Sequence, residues 1–164
     1  LHYPLRRQRQ MCIRDRTGAA RMVDVTGKEV TIREATAETV VHCSAPVLRA
    51  LRDGTTPKGD VFAVARISGI NAAKKVPELL PLAHVIGIHG AIVDVDVTDD
   101  GVRITATVRA ADRTGVEMEA LTAATVAGLA LIDMVKGVDK MVEITSARVL
   151  TKSGGRSGLW RRPE

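Results

Sequence analysis

The chain has 164 residues, of which 45% are apolar but only one is Trp, one Tyr and one Phe, and it carries a formal charge of +5. This length suits one domain with a sizeable core and is too short for two ordinary ones; a core of Val, Ile, Leu and Ala excludes an aromatic platform for stacking nucleic-acid bases. The charge does not point to nucleic acid either: six of the 24 basic residues (Arg6, Arg7, Arg9, Arg14, Arg16 and Arg21) and one of the 19 acidic ones (Asp15) precede Met22, which leaves a balanced 18 and 18 in the body.

Residues 1–16 have no helical or strand period and no apolar stretch long enough for a signal peptide or a membrane span. Their Gln10-Met-Cys-Ile-Arg-Asp-Arg16 resembles translated read-through of a sequencing adapter, so this leader is expected to be artefactual or a disordered basic arm. With Cys12 set aside, Cys43 stands alone, which excludes an intrachain disulfide framework and makes a reducing cytoplasm the expected compartment.

From Glu29 to His42 the β-branched Val30, Thr31, Ile32, Thr39, Val40 and Val41 predict an extended segment, broken near Ala35. Ser44, with Pro46 in the first turn, starts a short helix that ends at Asp53-Gly54, and Thr55 to Gly59 is a loop. Asp60 caps a helix to about Lys75, where Val61, Val64, Ala65, Ile67 and Ala72 recur at helical spacing. A strand is predicted from Val85 to Val97, a turn at Asp99-Asp-Gly101, and a second strand from Val102 to Ala110. A long Ala-rich helix from about Val116 to Val138 and a strand from Met141 to Leu150 complete the order. The economical packing is an α+β ferredoxin-like sandwich, a mainly antiparallel sheet with helices on one face. One catalytic domain is expected over 17–152, and a flexible Gly/Ser/Arg tail over 153–164 that can close on an anion through Lys152, Arg156 and its N–H groups.

Asp133 and Lys136 are three residues apart, on nearly one face of the long helix, and can act as a coupled acid/base pair or form an ordinary exposed ion pair. The helix before them is almost entirely Ala, Leu, Val and Gly, so charges at its end need a partner or a purpose. Glu117 and Glu119 bracket Met118 at the helix start, where the helix dipole alone favours acids. Lys58 precedes a helix N-terminus, whose dipole disfavours its charge, though a solvated surface lysine has the same sequence. His84 and His89 suit structural roles, and neither sits at metal-ligand spacing from a Cys or carboxylate, so no metal is expected. Met118 and Lys136 share a helix face but lie roughly 27 Å apart if the helix is continuous, too far for one nucleotide-sized ligand. Both ends can serve one reaction only across a subunit boundary or in a folded-over site, and an oligomer with shared sites is the simpler solution.

Several stretches occur in order: Met22-Val-Asp-Val25, Lys58-Gly-Asp-Val61, Ala72-Ala-Lys74, Leu80-Pro-Leu-Ala-His84, Thr114-Gly-Val-Glu-Met-Glu-Ala-Leu-Thr122, Asp133-Met-Val-Lys136 and Lys152-Ser-Gly-Gly-Arg-Ser-Gly158. Together, over about Ala20 to Trp160, they resemble the cyclic pyranopterin monophosphate synthase family of molybdenum-cofactor enzymes, MoaC. The resemblance implies a lyase that converts 3',8-cyclo-7,8-dihydro-GTP to cyclic pyranopterin monophosphate and pyrophosphate without a cofactor. It implies Asp133, Lys136 and Lys58 as catalytic groups. Leu82, Ala83, His84, Glu117, Met118, Glu119, Arg33, Asp24 and Lys152 are implied as substrate-binding, with Arg33 and Lys152 on phosphate. It also implies a homo-oligomer, a hexamer built as a trimer of dimers, with no nucleic-acid or membrane partner. Two departures stand out: Ala83 replaces the usual Cys and Val85 the common Pro, and neither changes an ionisable group. The competing expectation is a non-catalytic nucleotide- or pterin-binding regulatory module on the same scaffold.

Overall fold

The computed structural model describes Gly18 and residues 20–163; the leader expected over 1–16 lies outside the described residues. The strands are β1 (Thr31–His42), β2 (Ile88–Val97), β3 (Gly101–Asp112), β4 (Glu143–Ser153) and β5 (Trp160–Arg161), and the helices α1 (Ala45–Asp53), α2 (Val61–Ala73), α3 (Val76–Leu79) and α4 (Glu117–Val135). All strand pairs are antiparallel, in the order β2-β3-β1-β4-β5. The connection from β1 to β2 skips β3, and the one from β3 through α4 to β4 skips β1. This is the ferredoxin-like α+β arrangement.

The alternation of the strands builds the core. Ala35, Ala37, Thr39 and Val41 of β1, Val102, Ile104, Ala106 and Val108 of β3, and Val93 and Val95 of β2 are buried under the helices. On the opposite face Glu38 is buried beneath two arginines, 3.1 Å from Arg103 and 2.9 Å from Arg148, and the Thr36 and Thr107 hydroxyls meet at 2.9 Å. α2 and α4 press together through small residues: a Cβ at Gly69 would stand 2.8 Å from the Ala123 carbonyl oxygen and 3.2 Å from the Ala127 methyl. By length and composition α4 could cross a membrane, but here Ala120, Ala123, Ala124, Ala127 and Leu131 are buried between α2 and the sheet, as in the core helix of a globular domain.

Three expectations change. β1 is not broken near Ala35: that residue pairs with Val108 on one side and Lys152 on the other, and ladder bonds with burial override the weak strand propensity of Ala. β2 starts at Ile88, after an exposed Val85, and its register shifts between Ile88 and Gly90, so His89 is the extra residue of a bulge. The bulge reverses the alternation, which is why Ile88 packs on the core whereas Ile92 is exposed. Third, the last long strand does not stop at Leu150: β4 runs from Glu143 to Ser153, and Trp160 and Arg161 pair back onto Lys152 and Thr151.

The caps follow their chemistry. Gly54 ends α1 in the left-handed region at φ 65°, and Asp60 accepts the Ala63 N–H at 2.9 Å to start α2. Ser44 occupies the α1 cap position through its backbone alone: its carbonyl accepts the Leu48 N–H at 3.0 Å, and its side chain makes no cap bond. α4 leaves the sheet at Asp112, the end where β1 begins, and finishes where β1 ends and β4 begins. This direction divides the candidate residues between two ends of the domain.

Candidate active site

At the far end of α4, Lys58 and Lys136 converge on Asp133. Asp133 Oδ2 accepts from Lys58 Nζ at 2.8 Å and its Oδ1 from Lys136 Nζ at 2.6 Å, with all three side chains about half exposed. The Lys136 ammonium, and then that of Lys58, pulls the Asp133 carboxyl down to about 2. The carboxylate is therefore ionised at neutral pH and each of its oxygens already pairs with one ammonium group. The Thr56–Gly59 turn, closed by Gly59 N–H to Thr56 O at 3.2 Å and Thr56 Oγ1 to Gly59 O at 2.6 Å, presents Lys58. A pocket beside it is lined by Leu51, Gly54, Thr56, Gly59, Asp60, Val61 and Phe62.

The other candidates collect at the opposite end, where α4 starts. Glu117 Oε1 lies 2.7 Å from Lys152 Nζ. Glu119 is only 3% exposed, and its carboxyl is pushed up to about 7, chiefly by burial and further by the charges of Glu117 and Asp112, against the pull of its own backbone N–H. Arg33 donates from Nε to the Asp112 carbonyl and from a terminal nitrogen to the Arg113 carbonyl, both at 3.2 Å. His84 donates from Nε2 to the Val23 carbonyl at 2.6 Å, which ties residues 22–28 across this end together with the bond from Arg113 Nε to Lys28 O at 3.0 Å. Asp24 spends its carboxylate on its own turn, accepting from Thr26 N–H at 2.9 Å and the Thr26 hydroxyl at 2.8 Å. Leu82 and Met118 are exposed here, and Ala83 N–H closes a turn onto Leu80 O at 3.0 Å.

The structure thus brings Lys58 to the Asp133/Lys136 pair, a meeting no sequence spacing announces. It keeps that cluster apart from Glu117, Glu119, Arg33, Lys152 and His84 by the length of a continuous 19-residue helix, roughly 27 Å. Sequence reasoning missed the carbonyls of Val23, Asp112 and Arg113, because backbone acceptors leave no signature in residue type. Among the described residues no group of three His, Cys, Asp or Glu side chains gathers as a metal cluster would.

The MoaC family model matches residues 22–155, a span that holds both ends of α4 and every candidate site residue placed at them. The chain belongs to the MoaC family. It is similar to the cyclic pyranopterin monophosphate synthase of a Nocardioides species, 57% identical over 152 residues that cover 91% of this chain and 93% of the relative. The proteins of the same name from Streptomyces coelicolor and Geobacter sulfurreducens are 55% and 54% identical, covering 90% and 92% of this chain and 87% and 95% of theirs. The two departures from the MoaC pattern fall in the turn before β2: Ala83 is half-buried, whereas Val85 is 86% exposed and touches no part of the core.

Proposed function

We propose that this chain is a cyclic pyranopterin monophosphate synthase, a lyase of molybdenum-cofactor biosynthesis that converts 3',8-cyclo-7,8-dihydro-GTP to cyclic pyranopterin monophosphate and releases pyrophosphate. The observation that carries this reading is the Lys58–Asp133–Lys136 cluster, two ammonium groups held on one exposed carboxylate within a family whose relatives bear that enzyme's name. The reaction opens one ring, closes the pterin ring, and forms a cyclic phosphate by attack of a substrate hydroxyl on the α-phosphate, with pyrophosphate leaving. Each step moves protons, and a redox partner is not required. Lys58 and Lys136 supply protons, and Asp133 accepts one when substrate displaces a lysine from it; a carboxylate already paired twice is a poor base until then. Arg33 and Lys152 neutralise the phosphates, while Leu82, Ala83, His84, Asp24, Glu117, Met118 and Glu119 line the base-binding end.

One nucleotide cannot reach both ends of α4, so a complete site takes the Lys/Asp end of one chain and the Arg33/Glu119 end of another. Val64, Ile67 and Leu129, exposed on α2 and α4, offer apolar surface for that contact. A trimer of such dimers, a cytoplasmic hexamer, completes the proposal. The test is incubation of the purified chain with the cyclised GTP substrate and mass analysis of the products. Cyclic pyranopterin monophosphate with pyrophosphate supports the reading; bound but unconverted substrate would favour a regulatory binding module instead.

A further inference from the structure

Arg33 sits at the start of β1 on the same face as Ala35, and Ala35 pairs with Lys152, so the two cations occupy neighbouring strands at one end of the sheet. Two carbonyls, of Asp112 and Arg113, hold the Arg33 guanidinium from the β3 side at 3.2 Å. The opposite side is closed by a turn of Gly154 and Gly155, both at positive φ, 93° and 65°. A Cβ on Gly155 would overlap the remaining terminal nitrogen and central carbon of that guanidinium, and a Cβ on Gly154 would overlap the Ile32 carbonyl oxygen. The turn is itself anchored. Trp160 and Arg161 pair back onto Lys152 and Thr151, Arg162 N–H donates to Leu150 O at 2.8 Å and Arg162 Nε to Val149 O at 2.7 Å, and the Arg162 guanidinium stacks 5.8 Å from the Trp160 ring centre.

We infer that Gly155 is a positioning residue for phosphate recognition: the bare glycine turn, latched by residues 160–162, is the back wall that fixes the Arg33 guanidinium beside Lys152. The inference deepens the proposed function and rests on its assignment of Arg33 and Lys152 to the substrate's phosphates. The physical reason for glycine is double. Only a residue without Cβ lets the backbone approach the guanidinium this closely, and the left-handed φ is one that L side chains rarely adopt. Because the colliding group is the end of a flexible side chain, Gly155→Ala can be accommodated by swinging Arg33 out of place, with the fold retained.

Gly158 supplies the control. It has φ 62°, the same backbone requirement, yet nothing lies within 4 Å of a Cβ built there. Titration calorimetry with inorganic pyrophosphate on the full chain is the readout, independent of turnover. Gly155→Ala is expected to weaken pyrophosphate binding about tenfold, the worth of one charge-assisted hydrogen bond, with Gly158→Ala close to the parent. In an Arg33→Ala background, Gly155→Ala is expected to change nothing further, because its effect passes through Arg33. Parent-like binding by Gly155→Ala, or an equal loss in the Arg33→Ala background, would overturn the inference. So would failure of pyrophosphate to bind the unaltered chain. That outcome also removes the phosphate assignment, while conversion of the cyclised GTP substrate, measured separately, would leave the proposed reaction standing.

Discussion

Lys58 and Asp133 are 75 residues apart in the chain and 2.8 Å apart in space, and Lys136 reaches the same carboxylate from one helical turn away. The exposed position of all three makes their removal a test of chemistry more than of folding. Asp133→Asn and Lys136→Ala are each expected to slow turnover about a hundredfold or more, with thermal melting close to the parent. Turnover within a few-fold of the parent in either variant would contradict the acid/base assignment.

The same pairing has a titration signature. A carboxyl held at about 2 by two ammonium groups favours the folded state above its ordinary pKa of 3.8, and that contribution disappears as pH falls through about 2. Carboxyl carbon NMR is expected to place the Asp133 midpoint near 2, and Lys136→Ala to move it upward. Because the site is open to solvent, added salt is expected to move it upward as well. A midpoint near 4 in the parent would mean that the lysines do not hold the carboxylate in solution.

Glu119 behaves in the opposite sense. Its folded carboxyl is pushed up to about 7 from 4.5, so ionising it disfavours the fold: stability falls as pH rises from about 4.5 to 7 and is level above. Glu119→Gln, which keeps the shape without the charge, is expected to raise the melting temperature at pH 8 and to change it little at pH 4.5. The gain corresponds to a few kcal/mol at most. An equal shift at both pH values would show that the charge is not the cause.

Much of this was legible in the sequence. The ferredoxin-like order, the Asp60 cap, the Gly54 stop and the Asp133/Lys136 pair all follow from local pattern, because caps, periods and i,i+3 neighbours are set by nearby residues. The union of Lys58 with Asp133 follows from no local pattern, since it depends on how the loop between α1 and α2 docks beside α4, and only the family resemblance grouped the two. The phase of β2 was hidden too: Ile86 and Ile88 follow one alternation and Val93, Val95 and Val97 the other, and only the bulge at His89 puts both sets on the core, leaving Ile92 exposed. The β5 return was masked by a composition rich in Gly and Ser, whose glycines serve a turn with positive φ at Gly154, Gly155 and Gly158.

The helix pair on which both ends depend has little slack. Gly69 faces the Ala123 carbonyl oxygen, a backbone atom that cannot rotate away. Gly69→Ala is expected to cost about 1–3 kcal/mol as α2 and α4 are forced apart, read by urea unfolding with an unchanged slope. Unaltered stability would show that the two helices can separate freely.

If each site is assembled from opposite ends of α4 in two copies, as proposed, two inactive variants, Glu119→Gln and Asp133→Asn, should restore activity when mixed, with subunit exchange verified by native mass spectrometry. In a mixed pair, one of the two sites inherits both lesions and the other neither. Activity is therefore expected to return to about a quarter of the parent's when the variants are mixed equally in two-fold dimers. Confirmed exchange with no activity regained would mean that both groups of each site come from one chain.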